Sequence, residues 1–381
     1  MTDSVIHILT LSSVLVFSPY LSKLFRLPPT PIEIIIGSLL AYQGIIRIEE
    51  PNFKLLSEVG FLYLMFLAGL EVNLKSILKM PRIYIVQSTY FIIALWILAI
   101  VAVFLFNLHA IFIGILPLVS IGLLATLSKQ YGKELRWIKM AFLVGTIGEV
   151  ISITALTLLE ASSSVGLNQH LINHLLLLMV FFISVYALYL LFRLLFWWFP
   201  EFKTTLMPKD EERYQDLRLA MGLFFIMIAI MKMLHLELAF GAFIAGLFIS
   251  TFFHHKKDLE EKMSSFGFGF LVPIFFVYVG ASFNINHIIN TGVLVIAAKL
   301  LITMFGIRIL AGYTLSFLIG KKNAMLVSFA LSMPLTLMIA VATVALHNNS
   351  INQFDYYAVI LASLMEVLLS IIGIKIISRK Y

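Results

Sequence analysis

Apolar residues in this chain neither alternate nor recur at amphipathic spacing. They continue for about twenty positions at a time, the length a helix needs to cross a hydrocarbon layer of ~30 Å. Thirteen such runs, bounded by charged or turn residues, can be marked at about 5–22, 28–46, 54–73, 83–106, 110–128, 140–160, 173–198, 216–233, 236–254, 264–284, 291–319, 323–346 and 354–377. Only Lys232 to His235 separate the eighth and ninth, which can also be read as one bent hairpin. The pattern predicts an all-α polytopic membrane protein. Composition removes the soluble alternative: 61% of residues are hydrophobic and only 12% charged, about half the usual charged share.

Lys and Arg then test the count of spans. Twenty of the 27 fall in one set of alternate loops together with the C-terminus, and Arg47, Lys54 and Lys232 fall in the other set. A miscount by one span would erase that split, so the reading is a multi-pass protein of the cell (inner) membrane with an external N-terminus and a cytoplasmic C-terminus. Because the basic residues are scattered among short loops, the net charge of +7 reports topology rather than nucleic-acid binding. The opening MTDSVIHIL has no basic n-region or small-residue cleavage site, so the first run is expected to be retained. Trp197-Trp198 reads as an interfacial anchor, and His254-His255 beside Lys256-Lys257 as a solvated basic cluster rather than a metal site.

Internal symmetry is visible in two places. Glu33-Ile-Ile-Ile-Gly37-Ser-Leu-Leu-Ala41 in the second run matches Glu237-Leu-Ala-Phe-Gly241-Ala-Phe-Ile-Ala245 in the ninth, and Gly69-Leu-Glu-Val-Asn73 in the third matches Gly280-Ala-Ser-Phe-Asn284 in the tenth. Both pairs are an odd number of spans apart, so their members cross in opposite directions. This predicts inverted repeats, about 5–160 and 216–378, joined by a linker helix and loop at 161–215.

Against this background the ionisable residues inside the runs stand out. Glu149 sits roughly ten residues, or about 15 Å, from either end of its run, at the bilayer midplane. A carboxylate there is costly unless it faces a bundle interior or wet cavity, where such groups mark ion and proton pathways. Glu366 lies at a similar depth in the last run, with Lys299 and Arg308 in the eleventh. Glu33 and Glu237 lie near membrane faces, where they suit helix N-termini. Pro117 with Ser120 and Gly122, and Pro334 with Ser332 and Thr336, interrupt the fifth and twelfth runs at symmetry-related places. Proline frees backbone groups that must line a cavity or be packed by protein. Ser120, Thr126, Ser152, Ser332 and Thr336, with freed carbonyls, supply oxygen ligands suited to a monovalent cation beside Glu149. Lys299 is the expected countercharge for a broken region. Arg308, about 180° round the same helix, suits a structural partner or a dimer contact, and Glu366 suits pairing with Arg308 or Lys375.

The segments FLYLMFLAGLEVN (Phe61 to Asn73), AFGAFIAGLFIS (Ala239 to Ser250) and LVPIFFVYVGASFNIN (Leu271 to Asn286) resemble the monovalent cation/proton antiporters of the CPA2 group, which includes potassium-efflux and sodium/proton exchangers. That resemblance implies a thirteen-helix inverted-repeat fold with crossed, broken helices at spans five and twelve, a homodimer, and exchange of Na+ or K+ for protons. It places the ion-binding acid at Glu149 and the family's lysine at Lys299. The family's acid usually follows Asp, Asn or Gln, where this chain has Gly148, and Val119-Ser120 stands where a small polar residue and Thr are usual. Many relatives continue into a cytoplasmic nucleotide-binding domain, which this chain is expected to lack, so a gating subunit would be separate.

With no cysteine there is no disulfide or thiolate chemistry, and no Walker A loop, nucleophile elbow or HExxH appears. The expectation is a transporter without cofactor rather than an enzyme. Two alternatives stay open: a carrier of the same fold for an organic anion, and a non-transporting scaffold or sensor.

Overall fold

The computed structural model describes residues 2–25, 28–71, 81–121, 124, 127, 131–132, 135–163, 183, 187, 190–191, 193–195, 197–199, 201, 214–234, 238–253, 257–282 and 292–378. Among them the chain is helical, without strands. In order, the helices are α1 (Thr2–Phe25), α2 (Pro29–Tyr42), α3 (Pro51–Glu71), α4 (Arg82–Leu105), short α5 (Phe112–Ile115), α6 (Arg136–Ser163), α7 (Gln215–Met233) and α8 (Leu238–Phe252). There follow α9 (Lys257–Phe266), a π segment (Gly267–Leu271), α10 (Val272–Ala281), α11 (Val293–Gly312), short α12 (Ser316–Ile319), α13 (Lys321–Leu331), α14 (Leu335–His347) and α15 (Gln353–Ser378).

Six of the described helical stretches are long and apolar enough to cross a membrane, or seven if α13 and α14, bent by 43° across their break, form one span. The thirteen expected runs are therefore not all recovered as full-length spans. α2 and α8 are apolar but only 14 and 15 residues long, and most of the seventh run lies outside the described residues. Prolines mark several starts: Pro28 and Pro81 precede α2 and α4, and Pro29 occupies the first turn of α2, where its missing N–H costs nothing. The π segment lies immediately before α10, whose first turn contains Pro273.

The chain divides into two compact units, one of Met1–Phe61, Leu74–Ile153 and Phe268–Tyr381, the other of Leu62–Asn73 and Thr154–Gly267. In the first, Val14, Ile46, Phe53, Ile274 and Val277 form a buried cluster, and α11 packs against α4, α13 and α15. In the second, Tyr63, Phe66, Phe224 and Phe266 pack edge to face or tilted, with ring centroids 5.4 to 6.0 Å apart. The buried Tyr63 hydroxyl donates to the Met263 carbonyl at 3.1 Å, giving its polar tip a partner.

Each unit contains a helix crossing built on glycine. Where α2 crosses α10 in the first unit, a Cβ on Gly37 would fall on the Val277 carbonyl and one on Gly280 on the Ile34 carbonyl. Where α3 meets α8 in the second, a Cβ on Gly246 would fall on the Phe66 carbonyl and one on Gly69 on the Phe243 carbonyl. The crossings are built alike: in all four helices, the glycine and the carbonyl facing the partner's glycine are three positions apart. In this register Gly37 corresponds to Gly246 rather than to Gly241, which instead lies against Met227 and Met231. Helices in lipid gain little from the hydrophobic effect on association, so such backbone approach supplies much of the attraction.

Gly280→Ala is therefore expected to destabilise the protein by about 1–3 kcal/mol or to prevent its folding, because the obstructing atom is backbone. Gly222→Ala, at an α7 position with open space around it, is expected to be neutral or stabilising by up to about 1 kcal/mol. Thermal unfolding in detergent compares them, and equal losses would contradict the assignment of Gly280 to a backbone contact.

Candidate functional site

The fifth run does not continue as a helix. α5 ends after one turn, Leu116 and Pro117 form a turn, and residues 118–121 are not helical, their only local backbone bonds among the described residues being Leu118 amide to Ile115 carbonyl at 3.3 Å and Leu124 amide to Ile121 carbonyl at 2.8 Å. Residues 114–121 are buried, Leu118 and Ile121 at 1% exposure each. The backbone groups freed there need partners from elsewhere in the protein.

α6 supplies them on one side. Glu149, 1% exposed, accepts the Ser120 hydroxyl on Oε1 at 2.9 Å and the Ile121 amide on Oε2 at 3.3 Å. Ser152, in the next turn of α6, accepts the Val119 amide at 3.1 Å. Two glycines give the segment room. A Cβ on Gly148 would stand 3.0 Å from Val119 Cβ, and one on Gly145 would collide with the Ile121 side chain. Gly148, in the sequence only the loss of a polar neighbour for Glu149, is one wall of the slot that receives the unwound chain.

Arg308 acts on the opposite side. Fully buried in α11, it donates through Nη2 to the Leu118 carbonyl at 2.7 Å and through Nη1 to Glu366 Oε1 on α15 at 2.7 Å, with a further bond to the Met304 carbonyl at 3.1 Å. Arg308 Nε and Glu366 Oε2 are buried without a hydrogen-bond partner. The unwound stretch is thus held at four successive residues by α6 and α11, and α11 is tied to α15 by the same guanidinium.

The remaining candidates lie elsewhere. Lys299 is half-buried and donates to the Phe106 carbonyl at 2.6 Å, with its ammonium 5.7 Å from the Phe106 ring centroid. Phe106 is the C-cap of α4, so Lys299 ties α11 to a helix end where carbonyls lack partners and positive charge is favourable. Lys299 and Arg308 occupy opposite faces of α11, and the face turned to the break is that of Arg308. In the second break, Ser332 donates to the Ser328 carbonyl at 2.9 Å and its own carbonyl accepts the Ser370 hydroxyl at 3.0 Å. Pro334 caps α14, and Thr336, in the first turn of α14, is partly buried. Gly122, Thr126, Glu237 and His254-His255 lie outside the described residues. Glu33 is buried at the start of α2 and accepts the Ser18 hydroxyl at 3.2 Å. Among the described residues no cluster of His, Cys, Asp and Glu could hold a multivalent metal.

Arg308→Met should cost roughly 3–5 kcal/mol, because it leaves Glu366 buried and unpaired, whereas Arg308→Met with Glu366→Leu should recover part of that loss. Thermal unfolding of the single and double variants measures the difference, and a double variant no more stable than the single would contradict the pairing.

A family model described as "Sodium/hydrogen exchanger, transmembrane" matches residues 11–380. The putative Na+/H+ antiporter YjbQ of Bacillus subtilis is 25% identical over 377 residues, covering 92% of this chain and 59% of that protein. The probable Na+/H+ antiporter 3 of Methanocaldococcus jannaschii is 22% identical over 316 residues, 81% of this chain and 79% of its own length. The chain therefore spans less than two thirds of YjbQ and more of the archaeal relative. The structure of the sodium proton antiporter MjNhaP1 from Methanocaldococcus jannaschii at pH 8 shares the fold with a TM-score of 0.65 at 15% identity, over 97% of this chain and 96% of that one. On the family match, which extends from the first helix to the last, the chain belongs to the transmembrane sodium/hydrogen exchanger family.

Proposed function

We infer that the chain exchanges Na+ for protons across a membrane, with Glu149 as the group that binds both. One observation carries this reading: a carboxylate at the midpoint of a membrane-length helix has both oxygens on the unwound stretch of a second span, one on the Ser120 hydroxyl and one on the Ile121 backbone amide. A helical neighbour would offer only side chains to an ion. The unwound stretch adds carbonyls and places the Ser120 hydroxyl beside the acid, with Ser152 one turn along α6, all oxygen donors suited to a small hard cation. The names of the relatives support sodium as that cation.

A proton and a sodium ion are alternative loads for one acid. Ionised and empty, Glu149 carries a negative charge that resists transfer through hydrocarbon. With either ion bound the site is neutral, so only loaded forms cross and the two fluxes are coupled. The nearby Arg308 and Glu366 cancel each other, and Lys299 is engaged at the end of α4. One charge enters for each charge that leaves, which makes the exchange one for one and electrically silent. Arg308 acts here as a positioning residue, holding the Leu118 carbonyl so that the stretch keeps its shape when Glu149 changes partner. Its engagement by Glu366 also leaves it poorly placed to bind an organic anion. The distribution of Lys and Arg supports an external N-terminus and a cytoplasmic C-terminus, and the paired glycine crossings support two inverted halves.

In proteoliposomes with an internal pH probe, external Na+ pulses should alkalinise the lumen as Na+ enters against leaving protons, an outward Na+ gradient should acidify it, and Glu149→Gln should abolish both signals. Lys299→Gln should keep the signal and lose only thermal stability. A persisting response in Glu149→Gln would sink the assignment of the acid.

Competition fixes the sign of the pH dependence. Below the titration of Glu149 the apparent KM for Na+ should rise about tenfold for each unit by which the pH falls, because each unit removes that share of the unprotonated acid. A potential imposed with K+ and valinomycin should leave the initial rate unchanged; a rate that follows the potential would overturn the one-for-one charge count.

A further inference from the structure

A shallow groove of about 350 Å³ follows the outer face of α4, with Gln87, Tyr90, Ala94 and Ile97 on one side and Thr314 and Phe317 on the other. It shares no lining residue with the Glu149 site. Between Gln87 and Ile97 the helix rises about 15 Å, a good part of the length of an acyl chain. Tyr90, Ile97 and Phe317 are 57%, 55% and 80% exposed on helical stretches long and apolar enough to span a membrane, so this face is turned to lipid.

The lining is graded. At one end the Gln87 amide donates to the Thr314 carbonyl, joining α4 to the turn that follows α11. Tyr90, with an apolar ring and a polar tip, comes next, and beyond it the α4 wall is Ile93, Ala94 and Ile97. Past the polar end, Arg82 opens α4 and Lys321 opens α13, and both are exposed. The turn Tyr313–Leu315 packs against both of these helices, which brings the two cations to the same end of the groove. Cation, amide, phenol and hydrocarbon follow in the order in which a phospholipid presents phosphate, ester, interface and chain.

We propose that this groove is a specific site for one anionic phospholipid, its phosphate between Arg82 and Lys321 and one acyl chain along α4 from Tyr90 to Ile97. Charge favours a lipid over a second copy of the chain. A copy inserted in the same orientation would bring the same cations to the same level, where they repel, whereas an anionic headgroup neutralises them. The lipid clamps α4 to the segment that follows α11. The proposal rests on the membrane reading alone and stands or falls independently of ion exchange.

Native mass spectrometry of the purified, delipidated chain incubated with phosphatidylglycerol or phosphatidylcholine tests it without any transport assay. The native chain should retain one phosphatidylglycerol in preference to phosphatidylcholine. Ala94→Trp, which fills the groove, and the double variant Arg82→Gln/Lys321→Gln should each reduce that occupancy about tenfold, while Lys23→Gln, at an exposed cation in the last turn of α1, should not. The double variant changes only exposed side chains, so folding does not confound it. Equal retention of the two lipids by the native chain, or undiminished phosphatidylglycerol on the double variant, would overturn the proposal. So would a change of oligomeric state in Ala94→Trp with the lipid count intact, which would assign the face to a second copy.

Discussion

Unwound backbone inside an apolar span is the constraint on which the described site depends. Each unpaired amide or carbonyl in hydrocarbon costs several kcal/mol, and residues 118–121 would leave such groups bare. The chain answers with Ser152 for the Val119 amide, Glu149 for the Ile121 amide and Arg308 for the Leu118 carbonyl. The bonds that make the break tolerable are also those that assemble the site. Glu149 is a structural acceptor and, in the function proposed for it, also the ion ligand, so a change in what it binds would be felt directly by the backbone it supports. Arg308 and Glu366 extend the support to α15 without adding net charge, leaving Glu149 as the ionisable group bonded to the unwound stretch that has no charged partner of its own among the hydrogen bonds described.

Much of this arrangement was readable in the sequence because apolar monotony makes exceptions conspicuous. Glu149 at mid-depth, Pro117 and Pro334 inside runs, and Ser120 beside the first break all stand out against Leu, Ile and Val. The angle between Lys299 and Arg308 followed from helix geometry. Which of the two faces the break did not, because α11 is apolar all round and its pattern names no inner face. The structure gives that place to Arg308 and sends Lys299 to the end of α4. Other features were invisible for a related reason. A glycine acquires meaning from what lies against it, and nothing in Gly145 or Gly148 announces that Ile121 and Val119 fill the space. The match of Gly37 with Gly241 rested on flanking Glu and Ala, whereas the crossings are set by carbonyls facing glycines, which picks out Gly246.

Those crossings complement the break. Where α2 meets α10, and where α3 meets α8, backbone is packed on backbone with no side chain to rearrange. Contacts of that kind are stiff, because interiors packed to this density do not deform continuously. The Glu149 site is the opposite, a stretch whose shape is maintained by side chains that can exchange partners. Rigid crossings and an adjustable break within one chain are a physical basis for confining change to the unwound stretch.

The slot on α6 carries an implication for how sequences of this kind can vary. Val119 and the missing side chain at Gly148 occupy the same small volume. The nearest atom is the Cβ of Val119, 3.0 Å from where a side chain at 148 would begin, so even alanine there requires the unwound chain to yield by a few tenths of an ångström. The bare position next to Glu149 is then set by how closely the unwound chain lies on α6, and any larger residue at 148 has to be accommodated by the chain that faces it.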